Sequence, residues 1–357
     1  MTSIRNKLGW GLSAALALLL LAALAGVVHG GPLDPPGPVA PTGKTVITSL
    51  PFTISQPGSY ILNGDLTGSS GDGVTIQTDW VTIDLNGFTL FGASGTASGI
   101  SEGPSAPMHV GWTIRNGTVA GWGNSGIFAQ HLINSTFEDL HLSFNGFSSG
   151  SEALRAGQNI DVRNVKVTGN SGSGIVLGPE AQVSDCFVDL GFANTIGISA
   201  GEQSTIRNCS LNGIQASNSA GISAGPRSQA SDCSVRAMGG TGISVGDGST
   251  VTGCVADANV GSGILVTNQT VVRGCTSQNN GGSGIVFGSN NRIESNHALF
   301  NSVAGFTTQG QGLNNVVVLN SAHNNAPGLN YNVSPASNQF TSGPVSGATN
   351  PWANIDY

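Results

Sequence analysis

The chain has 357 residues, 54 of them glycine, with only 9% charged side chains and a net charge of −7. So few charges, and a negative balance among them, argue against nucleic acid and against a polyanionic glycan as partners, because a surface of the same sign repels both. Aromatics make up 6% of the chain, which excludes a large globular core packed with bulky rings.

The first thirty residues read as a targeting segment. Arg5 and Lys7 precede an apolar run from Leu12 to about Val28, and small residues follow at Ala25, Gly26, Gly30 and Gly31. This is the pattern of a secretory signal with cleavage near Gly30, and it predicts a secreted, periplasmic or cell-surface protein. An uncleaved segment would instead anchor the chain, since the run approaches spanning length; only then is a membrane a partner. Loss of Arg5 and Lys7 would leave ten basic residues against 19 acidic ones. Residues 31–43 hold five prolines, which suits an extended linker. Residues 44–70 are expected to form cap strands that close the first coil.

From residue 71 to 335 the chain repeats. An apolar residue, usually after glycine, recurs at Val74, Ile100, Ile127, Leu154, Ile175, Ile198, Ile222, Ile243, Ile264, Ile285, Phe306 and Leu329. Four consecutive steps, from Ile222 to Phe306, are 21 residues each. In phase with them run the anchors Val183, Ile206, Ala230, Val251, Val272 and Ile293. Three residues past the first five anchors stand Cys186, Cys209, Cys233, Cys254 and Cys275, and Asn296 takes the sixth place. Asn170, Asn259, Asn280 and Asn301 mark a further corner. A period near 21 residues, short alternating strands and Gly or Asn at the bends predict an all-β fold: a single-stranded right-handed parallel β-helix of about 12 coils, with N- and C-terminal caps. A leucine-rich repeat would need several leucines per turn, and a hexapeptide-type helix a six-residue beat; neither pattern is present. Residues 336–357 should cap the last coil, with Phe340, Trp352 and Tyr357 as apolar cover.

The Gly-Ile beat, the Val-x-x-Cys column and "VTIDLNGFTL" (Val81 to Leu90) resemble the pectin-lyase-like superfamily. "GPLDPPGP" from Gly31, "ISQPGSYIL" from Ile54 and "NPWANIDY" from Asn350 are similar to secreted bacterial β-helix repeat proteins whose chemistry is mostly unassigned. The resemblance spans about residues 45–357 and implies the fold more than a reaction. Pectinolytic hydrolases of this fold carry a set of Asn-Thr-Asp, Asp-Asp, His-Gly and Arg-x-Lys elements; no such set is present, and "NTIG" at Asn194 lacks the acid. Nor does the calcium-binding acidic cluster of pectate lyases occur.

The cysteines should form an inward ladder of free thiols. Equivalent residues of adjacent coils lie about 4.8 Å apart with parallel Cα–Cβ vectors, beyond the ~3.5–4.5 Å that a disulfide requires of its Cβ atoms. Stacked thiols offer a row instead of a tetrahedron, so no metal or other cofactor is expected.

The early coils, with steps of 26 and 27 residues, carry extra loop residues that could wall a groove. The candidates for chemistry there are Glu138, Asp139, His141, Arg115 and Arg163, with Trp112, Trp122 and His109 as candidate sugar contacts; the two tryptophans fit equally as plugs of loop–coil contacts. Asp185 and Asp232, two coils apart in one column, give a further carboxylate spacing near that of an inverting glycosidase. The expected function is carbohydrate binding by an exported β-helix without a catalytic set. The alternatives are a polysaccharide hydrolase, lyase or epimerase using the early groove, and a purely structural or adhesive surface protein.

Overall fold

The computed structural model describes residues 43–93, 95–103, 107–147, 150–191, 196–215, 219–334, 338–343 and 350–356. All belong to one of the two units into which the chain divides, Gly43–Tyr357. The expected signal segment, nearly all of the linker, Asn194 and Tyr357 lie outside the described residues.

Most described coils advance through three short strands, which in two early coils run together into the single strands Ile127–Ser143 and Glu152–Asn170, and the strands pair in parallel with their equivalents in neighbouring coils. The first sheet stacks Phe52, Val74, Ile100, Ile127, Leu154, Ile175 and Ile198 in register, and continues through Ile222, Ile243, Ile264 and Ile285 to Phe306. The second stacks Tyr60, Ile83, Ile114, Phe137, Val162, Val183, Ile206 and Ala230, and reaches Phe340. The third stacks the residues two past each cysteine, Val188, Leu211, Val235, Ala256 and Ser277. The result is the expected all-β parallel solenoid of about 12 turns.

One anchor moves. Phe306 pairs with Tyr331, not with Leu329, which is exposed. A turn at Gly328, in which the Leu329 N–H donates to the Ala326 carbonyl, lengthens that coil by two residues. The tyrosine ring then stacks on Phe306 at 5.1 Å and tilts against Phe340 at 5.3 Å. Phe340 thus packs against the core, whereas Trp352 is exposed.

Alternation explains the core. Apart from Phe52 and Phe340 at the two ends, which are partly buried, the anchors of the three sheets are buried, and the residue between them faces out. The glycine before the isoleucine is required by stacking distance. A Cβ on Gly242, Gly263 or Gly284 would lie 2.6–2.9 Å from the glycine carbonyl of the next coil. Each coil turns at corners in the left-handed region, which few L residues tolerate. The corner after the second sheet holds Asn116, Asp139, Asn164, Asp185, Asn208 and Asp232, all with φ between 50° and 60°. Here Asn164 donates to Asp139 at 2.7 Å and Asn208 to Asp185 at 2.6 Å, so amide and carboxylate alternate up the stack.

Inside the corners, amide ladders satisfy the buried backbone. Asn259, Asn280, Asn301 and Asn325 pass side-chain hydrogen bonds of 2.8–3.0 Å from coil to coil. The five cysteines are free and buried, each thiol donating to the carbonyl two residues earlier at 3.2–3.4 Å. Beyond Cys275 the same column continues as Asn296, Asn320 and Asn354.

Candidate functional site

The outer face of the second sheet gathers most of the charged candidates. Arg115, Glu138 and Arg163 are register partners in successive coils, with Asp84 below them. Arg163 donates to Glu138 at 3.0 Å and sits 3.4 Å from Asp161. Arg115 lies 3.9 Å from Glu138 and 3.6 Å from Asp84, which also accepts from Lys44 at 3.1 Å. Three cations and three carboxylates therefore alternate. Burial opposes ionisation of Asp84, but the Lys44 ammonium, the Asn86 N–H and the Asn116 amide outweigh it and hold the carboxyl below its usual range. Glu138 and Asp139 do not act as a pair. Glu138 lies in the charge ladder, and Asp139 sits at the left-handed corner holding Asn164.

Trp112 and Trp122 are not sugar contacts. Both rings are fully buried, and their indole N–H groups donate to the carbonyls of Thr78 and Leu90. The extra width of the early coils is filled by Trp122, whose ring lies where Cβ atoms of Gly68, Gly73 and Gly92 would fall, 2.5–2.7 Å away. His109 is buried too: it stacks on Trp112 at 5.5 Å and its Nδ1 pairs with Asp79 at 3.1 Å.

Trp80, by contrast, reaches solvent, with 65% of the residue exposed. It occupies the corner before the second sheet, with φ of 57°, where the following coils place Gly111, Asn134 and Asn159. The indole lies over Gly111, whose Cβ, if present, would be 2.3 Å from the ring. Beside it a depression of about 370 Å³ is bordered by Thr82, Thr113, Thr136 and Asn134. The three threonines are stacked in register, two residues before Asp84, Arg115 and Glu138. An aromatic plane, a row of hydroxyls and a charge ladder thus share one face.

The family model for the right handed beta helix region matches residues 98–270 and 194–347, together well over half of the chain. The chain belongs to the right-handed β-helix family. Solved structures that align with the chain include the A-module of the Azotobacter vinelandii mannuronan C-5 epimerase AlgE4, at 14% identity over 78% of this chain and 82% of that one, TM-score 0.43. The Dettilon tailspike protein gp208 aligns at 12% identity over 84% of this chain and 61% of that one, TM-score 0.45. A mannuronic-acid-specific polysaccharide family 6 lyase from human gut microbiota aligns at 11% identity over 84% and 86%, TM-score 0.41. No curated protein matches the chain in sequence.

Two further features of this β-helix lie on its early coils. His131, half exposed, is held by the buried carboxylate of Glu102, which accepts from its Nδ1 at 2.8 Å and from its backbone N–H at 3.0 Å. That contact leaves Nε2 as the acceptor of the imidazole, and the Gln130 amide lies 3.3 Å from it. A groove of about 710 Å³ runs past Phe91, Phe144 and Phe147, all exposed, over Gly121 and Gly123. On the third sheet, His141 faces Lys166 and bonds Thr168 at 2.8 Å; burial, aided by the Lys166 charge, lowers its affinity for a proton. The sequence reading passed over Trp80, Asp79 and Glu102. The carboxylates act on histidines 29 and 30 residues away, through the stack alone. Trp80 left one signal, a bulky ring at a corner position that the next coils give to Gly and Asn.

Proposed function

We propose that this β-helix protein is exported and binds a neutral carbohydrate across the second-sheet face of its early coils. The observation that carries the proposal is Trp80. A left-handed φ costs a bulky residue about 1 kcal/mol or more, and here that cost holds an indole outward over Gly111, beside three hydroxyls. Sugar rings need this combination: an apolar C–H face packs on the aromatic plane, and the hydroxyls find polar partners at its edge. The neutral class follows from the charge ladder, in which each group already has an opposite partner and none is left to attract an anionic chain. Export is the premise from which a glycan, rather than a cytoplasmic ligand, follows.

The test is a glycan array read with the wild-type chain and with Trp80→Asn. Neutral oligosaccharides should bind. The substitution should weaken them about tenfold, the scale of one aromatic contact, while leaving the melting temperature equal or higher, because Asn suits the left-handed corner. An array without neutral ligands, or one on which Trp80→Asn binds equally, sinks the proposal.

A further inference from the structure

Where the third sheet hands over to the first, at the opposite side of the first sheet from Trp80's corner, the early coils enclose a polar cavity of about 300 Å³. It is lined by Ser98, Asn124, Ser125, Phe128, Ser151 and Glu152. Serine stands before the first-sheet strand at Ser98, Ser125 and Ser173, and Glu152 replaces it in the coil between Ser125 and Ser173. A carboxylate there is buried, with 8% of the residue exposed. Its backbone is fixed: the Glu152 N–H donates to Ser125 Oγ at 3.3 Å and its carbonyl accepts from Gly126 at 3.3 Å.

The two carboxylate oxygens differ. Oε1 accepts from Arg155 Nη1 at 2.9 Å, whereas Oε2 is buried and has no hydrogen-bond partner. Native interiors rarely leave such an acceptor unmatched, and an orphan of this kind calls for an occupant of the cavity. Arg155 already neutralises the charge, so what is missing is a donor and not a second cation. Arg155, 38% exposed, keeps further N–H groups to offer. In the next coil down, its register partner Phe128 supplies an apolar wall.

We propose that this cavity is a second carbohydrate subsite, which takes one neutral sugar residue through a vicinal diol. One hydroxyl donates to Glu152 Oε2, its neighbour accepts from Arg155, and Phe128 covers the ring. The volume suits a single residue, at the lower end of cavities that hold small ligands. The subsite does not rest on the Trp80 face.

The probes are methyl α-D-mannopyranoside, methyl β-D-galactopyranoside and methyl β-D-glucopyranoside, with D-glucosamine as the cationic comparison, read by saturation-transfer NMR and calorimetry. At least one methyl glycoside should bind saturably, more tightly than glucosamine. Glu152→Gln should weaken it at least tenfold, because the amide oxygen turns to Arg155 and leaves an NH₂ group where an acceptor is needed. Asn124→Leu, which touches no bond of Glu152 and puts a larger apolar side chain in place of a polar one in the lining, should do the same even if Glu152→Gln fails to fold. Trp80→Asn should leave this binding unchanged. The proposal is overturned if no glycoside binds, if glucosamine is preferred, or if a folded Glu152→Gln or Asn124→Leu chain binds as well as wild type.

Discussion

His141 shows how one side chain reports its surroundings. Burial and the register neighbour Lys166 both disfavour its imidazolium, so its proton affinity falls below the ordinary value of 6.5. An NMR titration should therefore find the His141 midpoint below 6.5, and Lys166→Met should move it upward. The consequence for stability has a definite sign. As pH falls through about 6.5 the unfolded chain takes up the proton before the folded one, so His141 makes the fold less stable between that pH and its own lower midpoint. A midpoint at or above 6.5 would refute the burial argument. At this scale the sequence was least informative. Trp112 and Trp122, which the sequence offers either as sugar contacts or as plugs between loop and coil, prove to be core, while Trp80 was passed over. Whether a ring faces in or out depends on corner geometry and on glycines one coil away, such as Gly111 and Gly92, which no local spacing reveals.

At the scale of an element, the amide ladder is the clearest case of a repeat that stabilises itself. Asn280 is fully buried; it accepts from both nitrogens of Asn259 at 3.0 Å and donates to Ala256, Ser277 and Asn301. Asn280→Ala would leave the Asn259 backbone N–H without its acceptor inside the core, at about 2–4 kcal/mol. Urea unfolding should show that loss in the midpoint with the slope preserved; a loss under about 0.5 kcal/mol would mean that the ladder is not a principal support. These elements were legible before the structure: Asn259, Asn280 and Asn301 keep the 21-residue step, as do the last three cysteines. The inner Ser204–Ser228–Ser249 ladder was not, because its members blend into a Ser-rich sequence and reveal themselves only when Ser204 accepts from Ala181 and donates its N–H to Ser228.

Across the whole molecule the two halves differ in kind. The later coils place equivalent atoms in equivalent layers, whereas the early coils are wider, filled by Trp122 and furnished with the Trp80 face, the phenylalanine groove and the Glu152 cavity. The strict 21-residue spacing between Ile222 and Phe306 means that a layer is a removable unit. Excising Ile243–Gly263 would bring Gly242 to Ile264, set Cys233 against Cys275, and offer the Met238 N–H to Asn280 in place of Asn259. The isoleucine, cysteine and asparagine columns would close on residues of their own kind, while in the third sheet Val235 would meet Ser277. Such a shortened chain should fold and melt cooperatively, whereas a deletion of twenty residues, which flips strand faces, should not. Length in this half is therefore quantised: it can change by whole layers, about 4.8 Å at a time, while the candidate surfaces stay as they are.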